Sequence, residues 1–148
     1  MKLIVFAILI FLSSLSTNGQ SGIRINVETQ VVCEGQVQLV VSGDFVNNGT
    51  FTPSNGTIYL KGSSKQNIGG SGNNTFYGIE LDNASGADLS SDIAVTNELN
   101  LNNGILDLVN SNLTMGTGAA VLGAPSESNM VVTSGTGELR KRFSGTPI

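Results

Sequence analysis

Apolar residues recur along this chain in pairs with one residue between them: Val37–Leu39, Ile58–Leu60, Ile79–Leu81, Leu99–Leu101 and Ala120–Leu122. Their first members, at 37, 58, 79, 99 and 120, give steps of 21, 21, 20 and 21 residues. A unit this short cannot enclose a core alone. It buries its apolar face only against the copies before and after it, so the period predicts a stacked repeat architecture.

Two further sets keep the same phase. Phe45, Ala87 and Leu89, and Leu106 and Leu108 follow about eight residues after the first set; Phe51, Ile93 and Leu113 follow fourteen after it. Between them stand Asn47-Asn48-Gly49, Ser54-Asn55-Gly56, Asn83-Ala84-Ser85-Gly86, Asn102-Asn103-Gly104 and Asn110-Ser111-Asn112. Gly and Asn accept positive φ, and Asn side chains bond their own turn backbone. Short strands joined by such corners predict an all-β, parallel, three-sided β-helix (a β-solenoid) of 20–21 residues per coil, stacked about 4.8 Å apart. Within Glu98-Leu99-Asn100-Leu101-Asn102 the leucines point inward and the polar residues outward. Stacked corner asparagines, as at Asn83 and Asn103, are expected to form amide ladders. Gly69–Asn74 is expected to bulge as a loop and leave the coil at Ile58 without its third strand, with Phe76 plugging the core. An antiparallel β-sandwich, which also has short strands at 8–12-residue spacing, is the alternative.

The chain begins with Lys2, the apolar run Leu3–Leu12 and the small polar stretch Ser13–Gly19. That layout predicts a helical signal peptide over 1–19, because the run is too short to span a bilayer. The expected organisation is a signal peptide (1–19), a cap or lead-in strand (20–36), the solenoid (37–143) and a truncated or disordered tail (144–148). The mature chain is then secreted or at the cell surface. Without Lys2 it carries 6 basic and 11 acidic side chains, a formal net charge of −5. That balance offers no basic face for a phosphate backbone, so nucleic acid is not an expected partner. Arg140-Lys141-Arg142 reads as a solvated strand end, with Lys141 opposite to its neighbours.

Gly, Asn, Ser and Thr make up roughly two-fifths of the chain, far above ordinary usage. Disorder goes with low hydrophobicity, whereas here hydrophobic residues are 39% and periodic, which favours folding. Histidine is absent, so there is no Ser–His–Asp set, no His base and no His-ligated metal. The single Cys33 cannot form an internal disulfide and reads as a small buried hydrophobe. No enzyme activity and no cofactor are expected.

The remaining site candidates are few. Asp82, Asp88 and Asp92 fall within one coil and are the calcium candidates, although Asx-turn corner roles explain them as well. Gly69-Gly70-Ser71-Gly72-Asn73-Asn74 half-matches a glycine-rich calcium repeat, but it occurs once and has Asn73 where the carboxylate belongs. Glu80 and Asp82 share a strand face, as a glycosidase pair would, with no cation beside them in sequence. Tyr59 and Tyr77 are the sugar-stacking candidates. An ice-binding face would need regular outward Thr, whereas the outward series Gln38, Tyr59, Glu80, Asn100 and Val121 is mixed.

The order of segments carries a resemblance. Gly43-Asp44-Phe45-Val46-Asn47-Asn48-Gly49-Thr50-Phe51 is followed by Gly56-Thr57-Ile58-Tyr59-Leu60-Lys61-Gly62, then by Gln66-Asn67-Ile68-Gly69-Gly70 and Thr75-Phe76-Tyr77-Gly78-Ile79. Leu99-Asn100-Leu101-Asn102-Asn103-Gly104-Ile105-Leu106 and Ser128-Asn129-Met130-Val131-Val132 complete the series. Over residues 37–143 it resembles the Gly/Asn-rich, adhesin-like repeat region of secreted and cell-surface proteins of Gram-negative bacteria that use type IX secretion. The resemblance implies a β-helix-like fold and no transferable catalytic set; such regions continue into further repeats and a C-terminal sorting domain, so this sequence is expected to be a fragment, a truncated gene product or an unusually short member. The expected function is a non-catalytic exported structural or adhesion module, a spacer or binding surface. A carbohydrate-binding or carbohydrate-active β-helix is the alternative, and an ice-binding solenoid a minor one. The expected partners are a cell-surface glycan, neighbouring repeats, and other copies joined end to end, since nothing obvious caps the stack after Phe143.

Overall fold

A computed structural model describes residues 22–145. The signal peptide expected over 1–19 and the last three residues lie outside the described residues. All regular structure in the described part is β. The strands are β1 (Ile23–Ile25), β2 (Gln30–Val32), β3 (Gln38–Val41), β4 (Phe45–Asn47), β5 (Thr50–Thr52), β6 (Thr57–Leu60), β7 (Gln66–Gly69) and β8 (Thr75–Asp82). They continue as β9 (Ala87–Leu89), β10 (Ile93–Asn103), β11 (Leu106–Asp107), β12 (Leu113–Met115), β13 (Ala120–Gly123), β14 (Val131–Val132) and β15 (Leu139–Lys141).

Every pairing between named strands is parallel and joins one coil to the next. The chain is a β-solenoid of about five turns. Its first side stacks β1, β4, β7, β9, β11 and β14. The second begins with β2 and β5, and runs through the first halves of β8 and β10 to β12 and β15. The third stacks β3, β6, the second halves of β8 and β10, and β13. β1 and β2 pair with β4 and β5, so the segment expected as a lead-in is itself two sides of the first coil.

The inward columns make a continuous core. Leu39, Ile58, Ile79 and Leu99 align on the third side, as do Val41, Leu60, Leu81 and Leu101. Phe76 is the expected plug, 1% exposed, with its ring centroid 5.4 Å from Phe45 and 6.0 Å from Phe51.

Three local expectations are corrected. At the two ends the register differs from the apolar pairs: Ile58 faces Leu39, not Val37, and Leu99 faces Val121, not Ala120. Val37, Leu39 and Val41 all alternate, and 119–122 is apolar throughout, so pattern alone leaves those strands free to slide and corner length decides. The steps on this side are 19, 21, 20 and 22 residues as Gln38, Thr57, Gly78, Glu98 and Ala120 succeed one another. The outward column is therefore Val40, Tyr59, Glu80, Asn100 and Leu122, no more regular than before.

The second correction is Gly69–Asn74, which does not bulge. It is a corner laid on the one below: the Gly72 N–H donates to Asn47 O at 2.8 Å, and Thr50 bridges Asn73 in parallel. Gly70 (φ 113°) makes this fit, since a Cβ there would lie 2.1 Å from Asn47 O. The missing strand is present, fused into β8. The third is the ladder. Asn83 is buried, but its side-chain amide donates to Gln66 Oε1 (3.0 Å), and only its backbone N–H reaches Asn103, at the carbonyl oxygen (2.9 Å).

Candidate functional site

Polar side chains at most corners are bound within the stack. Asn47 Nδ2 donates to Asn73 O at 3.0 Å, Asn74 Nδ2 to Ser91 Oγ at 2.9 Å, and Asn112 Nδ2 to the Asp92 carboxylate at 3.0 Å. Gln66 is the most connected. Its Nε2 donates to Val41 O (3.0 Å) and Gly43 O (2.5 Å), and its Oε1 accepts from the Gly62 N–H and Asn83 Nδ2, both at 3.0 Å. A buried amide needs such complete pairing to be tolerated.

The three calcium candidates are not brought together. Asp82 pairs with Lys61 at 3.2 Å, and Asp88 with Lys65 at 2.7 Å. Asp92 accepts from Asn112 N at 2.8 Å, and this bond with the Asn112 side-chain amide holds its carboxyl below the usual range. The bond to Asp88 in turn pushes Lys65 up. Among the described residues no three of His, Cys, Asp and Glu are grouped to hold a metal ion. Asn73, at the position a calcium repeat would fill with Asp, accepts from Thr75 Oγ1 at 2.8 Å and stays in its corner. Of the acidic pair, Glu80 lies 3.4 Å from Asn100 Nδ2 and Asp82 is held by Lys61. Cys33 is half-buried beside Leu39, Phe51 and Ile58, and burial pushes its thiol up.

Tyr59 and Tyr77, by contrast, do converge. One is on β6, the other on β8 at the turn from the second side to the third, and both line a depression of about 320 Å³ together with Gln38, Thr57, Asn97 and Glu98. Gly78 stands between Thr57 and Glu98 in one outward column, and without a Cβ it lets those two lining side chains close over it. Lys61, outside the depression, stands 5.6 Å from the Tyr59 ring centroid.

Lys141 is the residue most misjudged from sequence. It aligns with Met115, an inward position, on the last strand among the described residues. Its ammonium donates to Gly116 O (2.7 Å), Thr117 O (3.1 Å) and Ala119 O (2.5 Å), so it caps a turn of the coil before. The odd place of Lys141 between Arg140 and Arg142 was the available signal. Around it, in the last coils among the described residues, Val121, Leu122 and Leu139 are each nearly half exposed.

No helix among the described residues is long and apolar enough to cross a membrane. Comparison of the chain with protein families, with curated proteins and with solved structures finds no match.

Proposed function

We propose that the chain is a non-catalytic structural and adhesive repeat module of an exported, cell-surface protein, working as a spacer and a binding surface. The observation that supports this best is how the polar residues are spent. Asn47, Asn74, Asn83, Asp92, Asn110 and Asn112 reach residues 17 to 26 positions away, which is one coil. The carboxylates of Asp82, Asp88 and Asp92 are tied to Lys61, Lys65 and Asn112. Such a molecule is built to be stacked and lengthened.

The test is insertion of one extra coil, a second copy of residues 79–98 placed after Glu98. Small-angle scattering should show a stack longer by about 4.8 Å with unchanged β content per residue. Loss of folded structure on insertion would refute the module reading. Surface proteolysis of intact producing cells checks the location, and protection of the chain would refute exposure. The depression at Tyr59 and Tyr77 favours the carbohydrate-binding form of this reading.

A further inference from the structure

We infer that the depression lined by Tyr59 and Tyr77 on the third side is a binding site for a neutral oligosaccharide, which rests on the binding-surface reading above and gives it a ligand class. Tyr59 and Tyr77 are the only two tyrosines in the chain. They are 18 positions apart in sequence, and one turn of the solenoid brings both to the same depression. Gly78 lets two lining side chains close in between the coils, since a Cβ there would lie 2.8 Å from Thr57 Oγ1 and 3.3 Å from Glu98 Cγ.

The rim is chemically unspent. Among the described residues the side chains of Gln38, Thr57, Tyr77, Asn97 and Glu98 make no hydrogen bond to protein, unlike the corner amides bound within the stack. Planar amides and a carboxylate present paired donors and acceptors, which match vicinal sugar hydroxyls. Tyrosine rings offer an apolar platform for the C–H face of a pyranose and keep a polar tip for its edge. The ammonium of Lys61, anchored on Asp82 at 3.2 Å, steadies the Tyr59 ring from outside the depression. Glu98 is the one charged residue in the lining, so an anionic glycan is repelled and a neutral one is not. The volume of about 320 Å³ is at the lower end of the roughly 300–1,000 Å³ of small-molecule sites, which suits a short saccharide segment.

The chain lacks tryptophan, so its tyrosine fluorescence reports on this site directly. The full chain is titrated with cellotetraose, maltotetraose, chitotetraose and tetragalacturonate, and the same sugars are followed by calorimetry in the variants. At least one neutral tetrasaccharide should give a saturable change, and tetragalacturonate should bind at least tenfold more weakly. Tyr59→Ala and Tyr77→Ala should each weaken the neutral sugar at least tenfold with unchanged circular dichroism. Glu98→Gln should narrow the gap to tetragalacturonate. No response to any neutral sugar up to about 10 mM, or binding undiminished in Tyr59→Ala, would overturn the site. The coil-insertion measurement separates the two readings: a stack that lengthens but ignores sugars loses only this site, whereas one that fails to lengthen loses the module.

Discussion

Gln66→Leu tests whether buried amides hold the coils together. The substitution keeps the approximate volume at a position 1% exposed and deletes four hydrogen bonds. Not all four partners are orphaned. Val41 O still accepts from Lys61 N (2.9 Å), and Asn83 Nδ2 still reaches Ser64 O (2.8 Å) and Gly86 O (3.3 Å). The groups left stranded are the Gly43 carbonyl and the Gly62 N–H. An unsatisfied buried group costs about 1–3 kcal/mol, and the added leucine returns part of it, so the net loss is about 2–4 kcal/mol. With a urea slope of about 2 kcal/mol/M, the midpoint should fall by about 1–2 M, read by far-ultraviolet circular dichroism. Gln66→Glu adds a sign. One oxygen of an ionised carboxylate would keep the Gly62 and Asn83 donors, but the other would face two carbonyl oxygens at a position removed from water, so repulsion and burial together raise its folded-state pKa. Its stability is then present below the ordinary glutamate value of about 4.3 and lost as pH rises through the folded value. That variant should be more stable at pH 4 than at pH 7 relative to the parent. A Leu midpoint within about 0.2 M of the parent, or a Glu variant indifferent to pH, would refute the reasoning.

Gly70→Ala should destabilise the stack by several kcal/mol and make it soluble only at low temperature, since its Cβ would meet Asn47 O at 2.1 Å and φ is 113°; a thermal midpoint unchanged by melting would count against the stacked corner. Lys141→Met should replace the polar cap with an apolar end and raise end-to-end association at least tenfold in sedimentation velocity; association no stronger than the parent's would remove the capping role. Asp92 and Asp107 are held below the usual carboxylate range, the latter by the N–H groups of Val109 and Ser134. Their contribution is present above the unfolded value of about 3.9 and lost on further acidification. The Asp92→Asn, Asp107→Asn double variant should therefore lose less of its melting temperature between pH 5 and pH 2.5 than the parent does, and an equal loss would contradict these bonds.

The fold was legible because burial in a stacked coil imposes alternation on every strand. The three offsets carried the number of sides, and Phe76 was recognisable as core although its strand was not. What stayed hidden depended on contacts across a coil. Gly69–Asn74 looks like a loop because glycine and asparagine signal flexibility as readily as a corner too tight for a Cβ. Register was ambiguous at β3 because Val37, Leu39 and Val41 continue one alternating row, and at β13 because residues 119–122 are apolar on both faces. Gln66 gave no local sign of burial, since its partners are 4 to 25 positions away. For the site, the two tyrosines could be named, but their convergence required knowing where β6 and β8 align. The three aspartates share one coil and still point to separate partners, because a coil of about 20 residues visits three sides.

In the parallel stack the bonds between coils run along the axis of the molecule, while the chain circles it. A pull applied along that axis opens the ladder bond by bond and does not shear many bonds at once. Each coil set free would change from one 4.8 Å layer into about 65 Å of extended chain. The same geometry that lets coils be added cheaply therefore makes them pay out under tension, one after another, like line from a reel.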